Sequence, residues 1–65
     1  MSHWIITGRP ECPVSRYVTY VVSEESEAQP EGEAPLVRWV VEACEGQIHQ
    51  LIHDPHVVRV AWERR

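Results

Sequence analysis

Three histidines near the carboxyl-terminal end of the sequence have the spacing of candidate metal ligands. They form the pattern H-x3-H-x2-H, in which His49 and His53 lie one turn apart on a predicted helix. Imidazoles at positions i and i+4 can bind zinc jointly, and Glu45 or His3 would supply a further ligand. Gln50 stands where the common zinc-protease motif has glutamate. The histidine spacing makes a metal-binding protein the alternative function. The simpler interpretation of these histidines is that they are solvent-facing polar residues.

The most acidic stretch of the chain is residues 24–33, EESEAQPEGE, which contains no basic residue. Its five glutamates are Glu24, Glu25, Glu27, Glu31 and Glu33. A row of carboxylates can imitate phosphates and occupy a basic cleft on another protein. The segment has little to bury, so we predict a solvated surface loop.

Aromatic side chains are the second group of candidate partner-binding residues. Trp39 falls on the polar face of the predicted helix, between Glu42 and Gln50. Tryptophan in such a position is typical of an interface anchor. Tyr17 and Tyr20 belong to a predicted strand, and we expect the uncovered face of the sheet to carry some of Trp4, Tyr17 or Tyr20.

The cysteines and the remaining motifs do not indicate an enzyme. Cys44 lies on an apolar helical stripe, which predicts a buried, inert thiol, whereas Cys12 lies in a turn and is expected to be more exposed. Neither belongs to a C-x-x-C pair, and we favour reduced thiols over a disulfide, with a redox role as a further hypothesis. There is no phosphate-binding glycine loop and no G-x-S-x-G, so we expect no catalysis and no cofactor.

Composition limits the partners and the compartment. The 65 residues have a net charge of −4, and all six basic residues are arginine. Lysine, asparagine and phenylalanine are absent, which indicates a GC-rich genome and hence a bacterium or its phage. An acidic chain is a poor direct ligand for nucleic acid. No apolar run approaches the length that crosses a bilayer and no signal-peptide pattern is visible, so we predict a cytoplasmic protein that does not bind membranes.

The apolar pattern predicts four elements. Residues 3–7, 16–23 and 57–62 are predicted strands because they are rich in β-branched and aromatic side chains. Residues 35–53 are predicted to form one helix, because a stripe from Val37 to Ile52 keeps a helical period. The alternative is a strand over residues 36–41 followed by a shorter helix.

These elements predict an α+β fold of order β-β-α-β in a single domain. A right-handed crossover would place the third strand beside the first, in a three-stranded antiparallel sheet of order 2-1-3 with the helix on one face. The other face would then expose apolar side chains. Because small domains bury little surface alone, we predict a two-fold dimer.

The sequence therefore favours a small acidic protein–protein interaction module. The most specific version of this hypothesis is a phage or bacterial inhibitor or regulator that binds a protein complex handling nucleic acid. The small predicted core, the acidic segment and Trp39 support this hypothesis.

Overall fold

A computed structural model describes residues 2–63 as one antiparallel sheet with two short helices on one face. The strands are β1 (Ser2–Gly8), β2 (Tyr20–Glu27), β3 (Leu36–Ala43) and β4 (Val57–Glu63). A 3-10 helix covers Val14–Arg16, and the helix α1 covers Glu45–Leu51. The four strands lie in the order β2-β3-β1-β4, so the predicted three-stranded sheet of order 2-1-3 is wrong. The strand predictions at both ends of the chain are confirmed, as is the pairing of the last strand with the first.

The prediction of one long helix over residues 35–53 is also wrong, because its first half is β3. Residues 36–43 alternate between buried and more exposed positions, with Val37, Trp39 and Val41 buried. That period of two belongs to a strand, and the β-branched side chains of LVRWVV favour it. The alternative of a strand followed by a shorter helix is closer, although α1 begins only at Glu45.

β2 lies further along the chain than the predicted strand over residues 16–23. Residues 24–27 of the acidic segment continue this strand and pair with β3, so the loop prediction for residues 24–33 holds only for its second part. An edge strand has one edge in water, and it therefore tolerates the three glutamates of β2. Gly32 then allows the chain to turn back towards β3, with a positive φ of 88°.

The core lies between one face of the sheet and the two helices with their adjoining loops. The sheet contributes alternate residues of β1 and β3, and α1 contributes Ile48 and Leu51. The buried apolar residues are Ile6, Cys12, Val14, Val18, Val37, Trp39, Val41, Ala43, Ile48 and Leu51. No helix within residues 2–63 has the length and apolar character needed to cross a membrane.

The opposite face of the sheet is open but carries charged pairs. Directly opposed residues share a face, so the pairing of Tyr20 and His3 with Glu42 places all three on this face. Ile5 and Val40 lie here too, and both are half-buried. Of the apolar residues expected on the uncovered face, Tyr20 lies here and is exposed, and it shares the face with charged side chains.

Candidate functional site

A concave surface lies at one end of β1 and β4 and forms a pocket of about 330 Å³. It is lined by Ser2, Trp4, Glu45 and Trp62. Trp4 and Trp62 are directly opposed in the β1–β4 pairing, so both indoles lie on the core side of the sheet. Glu45, the first residue of α1, adds a carboxylate to this aromatic surface.

The two indoles of the pocket differ in exposure. The Nε1–H of Trp4 donates a hydrogen bond of 3.0 Å to the carbonyl oxygen of Ala43, and its ring is half-buried against the core. Trp62 is 56% exposed. One wall of the pocket is therefore fixed by the sheet, whereas the other presents a large aromatic surface to solvent.

The glutamates of residues 24–33 are divided into two groups by the structure. Glu25 and Glu27 form ion pairs with arginines on the open face. Glu24, Glu31 and Glu33 are exposed, and none of the three forms an ion pair within the described part of the chain. We call these three residues the acidic corner; they are the part of the predicted acidic site that remains available to a partner.

The ion pairs of the open face connect three strands. Arg38 Nη2 lies 2.9 Å from Glu25 Oε2, and this hydrogen bond raises the pKa of the guanidinium. Arg59 Nη2 lies 3.6 Å from Glu27 Oε1 and 3.5 Å from the hydroxyl of Thr7, which is buried. The arginines therefore neutralise charge that the acidic segment would otherwise present.

The aromatic residues predicted from the sequence occupy three different environments. Trp39 is only 5% exposed, so its predicted role as a surface anchor is wrong. Its side chain points into the core because this segment forms the strand β3. In the predicted helix the same side chain would have faced solvent. Tyr17 follows the 3-10 helix and packs against the core, so it does not lie on the open face. Tyr20 does lie there, and it is exposed.

A polar cluster joins the loop before β4 to the loop after β1. Asp54 accepts hydrogen bonds from the Tyr17 hydroxyl and the backbone N–H of His56, each at 2.9 Å, and its Oδ1 lies 2.9 Å from His56 Nδ1. The His56 backbone hydrogen bond, as the main cause, lowers the pKa of Asp54. The hydrogen bond to Asp54 raises the pKa of Tyr17. The geometry is that of an Asx turn tied to the core, and it positions the start of β4.

The two cysteines have the opposite exposure from the predicted one. Cys12 is buried and Cys44 is exposed at the start of α1, and both are free thiols. Burial, together with the nearby charges of Asp54 and Glu11, raises the pKa of Cys12 to about 11. Because the thiolate is the reactive form, Cys12 is a poor nucleophile at neutral pH.

The histidines proposed as metal ligands are separated by the end of the helix. His49 lies in the last turn of α1, whereas His53 belongs to the turn that follows Leu51. Both side chains are exposed. In the described part of the chain, residues 2–63, no three side chains of the ligating types come together as a candidate metal site.

The pocket was missed by the sequence analysis because its residues come from both ends of the chain and from α1. The sequence contained part of the information needed to find the pocket, because β1 and β4 were predicted neighbours and each contains a tryptophan. The register that opposes these two residues is a property of the sheet.

Compared with protein-family models, curated proteins and solved structures, the sequence shows no match.

Proposed function

We propose that this chain is a small protein-binding module that acts in the cytoplasm and whose partner presents a basic surface. The single observation that carries the proposal is the exposure of Trp62 beside Trp4 and Glu45. Tryptophan supplies much of the binding free energy in many interfaces, particularly at the edge of a preformed pocket. The adjacent carboxylate favours a cationic group on the partner over an acidic one.

The acidic corner adds attraction at longer range. Glu24, Glu31 and Glu33 are exposed, and the net charge of the chain is −4. Such charges accelerate the encounter with a basic protein more than they slow dissociation. The sharper form of the proposal is that the partner handles nucleic acid and that this chain inhibits or regulates it, since a nucleic-acid-binding cleft is a common basic surface.

A second copy of the chain is the other binding partner that we propose. β4 is an edge strand of the sheet formed by the described residues, so its outer side faces no other strand of that sheet, and Val58 is 56% exposed. Pairing of two β4 strands about a two-fold axis would extend the sheet. The pocket projects from a face of the sheet, whereas the edge groups lie in its plane, so the two surfaces are separate.

The proposal is tested by using the chain as bait and then measuring the captured partner with purified proteins. We expect Trp62→Ala to weaken that binding by about 30-fold, the loss typical of an interface hot spot. Tyr20→Ala is the matched control, because Tyr20 is equally exposed on the opposite face. Equal affinity of the Trp62→Ala variant and the wild type would disprove the assignment of the pocket as the partner site.

The contribution of the acidic corner is tested by kinetics. In the triple variant Glu24→Gln, Glu31→Gln, Glu33→Gln, we expect association at low salt to slow by roughly threefold to tenfold. Dissociation should change little. In high salt the triple variant and the wild type should associate at the same rate, because screening removes the steering force. An unchanged association rate at low salt would exclude the acidic corner from partner recognition.

A further inference from the structure

We infer that the pocket at the end of β1 and β4 receives the cationic end of a lysine or arginine side chain of the partner. This inference rests on the proposed function and specifies what the pocket recognises. Two of its four lining residues are tryptophans and a third is a glutamate. An indole face attracts a cation through its quadrupole, and tryptophan does so best among the aromatic residues.

The geometry of the two tryptophans suits a cation better than a neutral apolar group. The ring of Trp4 is fixed by its hydrogen bond to Ala43, so its N–H is already used within the sheet. What Trp4 offers a ligand is therefore ring surface. Trp62 lies opposite on the neighbouring strand, and Glu45 supplies the full negative charge that two indoles lack. An ammonium or guanidinium group gains from all three residues, whereas an aliphatic group gains only from the rings.

The volume of the pocket matches one side chain. About 330 Å³ is at the lower limit of the range for small-molecule sites, so the space suits the end of a single residue. The charge of the chain is complementary, because a net charge of −4 attracts a basic segment and repels an acidic one.

The test compares two capped tripeptides, acetyl-Gly-Lys-Gly-amide and its norleucine analogue, which differ mainly in the terminal charge. The chain has three tryptophans, so three indole N–H signals report binding in a nitrogen-15 NMR titration. We expect the lysine peptide to shift the signals of Trp4 and Trp62 in a saturable manner. The signal of buried Trp39 is the internal reference and should remain in place.

Affinity for the norleucine peptide should be about threefold weaker than for the lysine peptide, the difference typical of an exposed cation–π contact. Glu45→Gln should remove most of this preference without changing norleucine binding. Glu11→Gln is the matched control, since it removes one exposed charge outside both the pocket and the acidic corner and should keep the preference. An arginine peptide should behave as the lysine peptide does.

Equal binding of the two peptides, or an unchanged preference in Glu45→Gln, would overturn the inference. The two proposals fail separately. If Trp62→Ala weakens partner binding while the peptides are not discriminated, the pocket is an interface without cation recognition and the proposed function remains. If the peptides are discriminated but Trp62→Ala does not change partner binding, the pocket still binds cations and its assignment as the partner site is wrong.

Discussion

The two edge strands of the sheet are alike in outline and differ in charge. β2 and β4 each contain a register shift that leaves one exposed valine without a directly opposed residue, Val22 in β2 and Val58 in β4. Beyond its shift, β2 continues with three glutamates at residues 24–27, whereas β4 has the sequence RVAWE. Charged side chains and bulges on an edge oppose pairing with another chain. β2 has both kinds of protection, and β4 relies mainly on its bulge.

This difference indicates which edge is available for contact. The ion pairs of Glu25 and Glu27 join β2 to the arginines of the open face, so two of its three glutamates are already engaged within the chain. β4 instead presents Val58 and Trp62. The proposed short-range binding therefore belongs to the β4 side of the molecule, and the proposed long-range attraction belongs to the β2 side.

The largest expected effect on stability is that of Gly8→Ala, which disturbs the connection of β4 to β1. A Cβ atom on Gly8 would lie 2.7 Å from the carbonyl oxygen of His56, and the same oxygen accepts a hydrogen bond from Arg9. Backbone must therefore move, and we expect the free energy of unfolding in urea to fall by about 1–3 kcal/mol.

Gly46→Ala is the matched control for Gly8→Ala. Gly46 lies in α1 with open space around its Cβ position. Alanine there should raise the free energy of unfolding by about 0.5–1 kcal/mol, because it restricts the unfolded chain and favours the helix. A Gly8→Ala variant as stable as the wild type would contradict the close approach of β1 and the turn before β4.

Self-association should distinguish the two edges directly. We expect the wild type to show a mass above 7.5 kDa by light scattering as its concentration rises. Val58→Lys should return the chain to a monomer, because a lysine on an edge strand opposes pairing. Val22→Lys, the equivalent change on β2, should leave the dimer intact. If both variants dimerise as the wild type does, β4 is not the contact.

The pH dependence of stability should also be greater near β4 than near β2. The folded state lowers the pKa of Asp54, so its ionised form stabilises the fold at every pH above the unfolded value of about 3.9. That contribution is lost as the pH falls through the lower pKa of the folded state. We expect amide hydrogen exchange to show loss of protection in residues 56–58 on acidification before loss in β3.

Asp54→Asn provides the control for this pH effect. The variant keeps a side chain that can accept hydrogen bonds but does not titrate, so its stability should be lower at neutral pH and change less on acidification. An unchanged acid profile in Asp54→Asn would show that other carboxylates cause the loss of protection.

The smallest expected effect is that of the Glu25–Arg38 pair on β2. Both side chains are largely exposed, at 65% and 49%, so water and salt screen their attraction. We expect Glu25→Gln and the double variant with Arg38→Gln to unfold at nearly the same urea concentration as the wild type. A large loss of stability in Glu25→Gln alone would show that the ion pairs of the open face act as a coupled network.

The sequence correctly predicted the elements whose apolar pattern fits only one type of regular secondary structure. Residues 3–7 and 57–62 are short runs bounded by turns, so a strand is the only regular element that suits them. Residues 36–43 fit two periods, because Val37 and Val41 share a face in a strand and also lie one turn apart in a helix. The elements that pack beside the segment decide between helix and strand. β3 forms a strand because β1 pairs with it on one side and β2 on the other.

The candidate site was less predictable than the fold, for a related reason. Trp39 changes from an exposed anchor to a core residue when its segment changes from helix to strand. Cys44 changes from buried to exposed by the same shift. Trp4 and Trp62 meet only through a register between the two ends of the chain, and local patterns contain no register between distant strands.

β1 is the first strand along the chain and yet has a strand on either side. Trp4 is paired with Val41 on one side and with Trp62 on the other. β2 and β3 form a hairpin by local closure, but β1 must close long loops before either contact forms, and such topologies fold in about milliseconds to seconds. During synthesis β1 therefore leaves the ribosome well before β4 is made. Until then, the apolar residues of β1 lack the strand that covers its second edge. A chaperone that binds short apolar segments would therefore meet β1 before β4 can cover it.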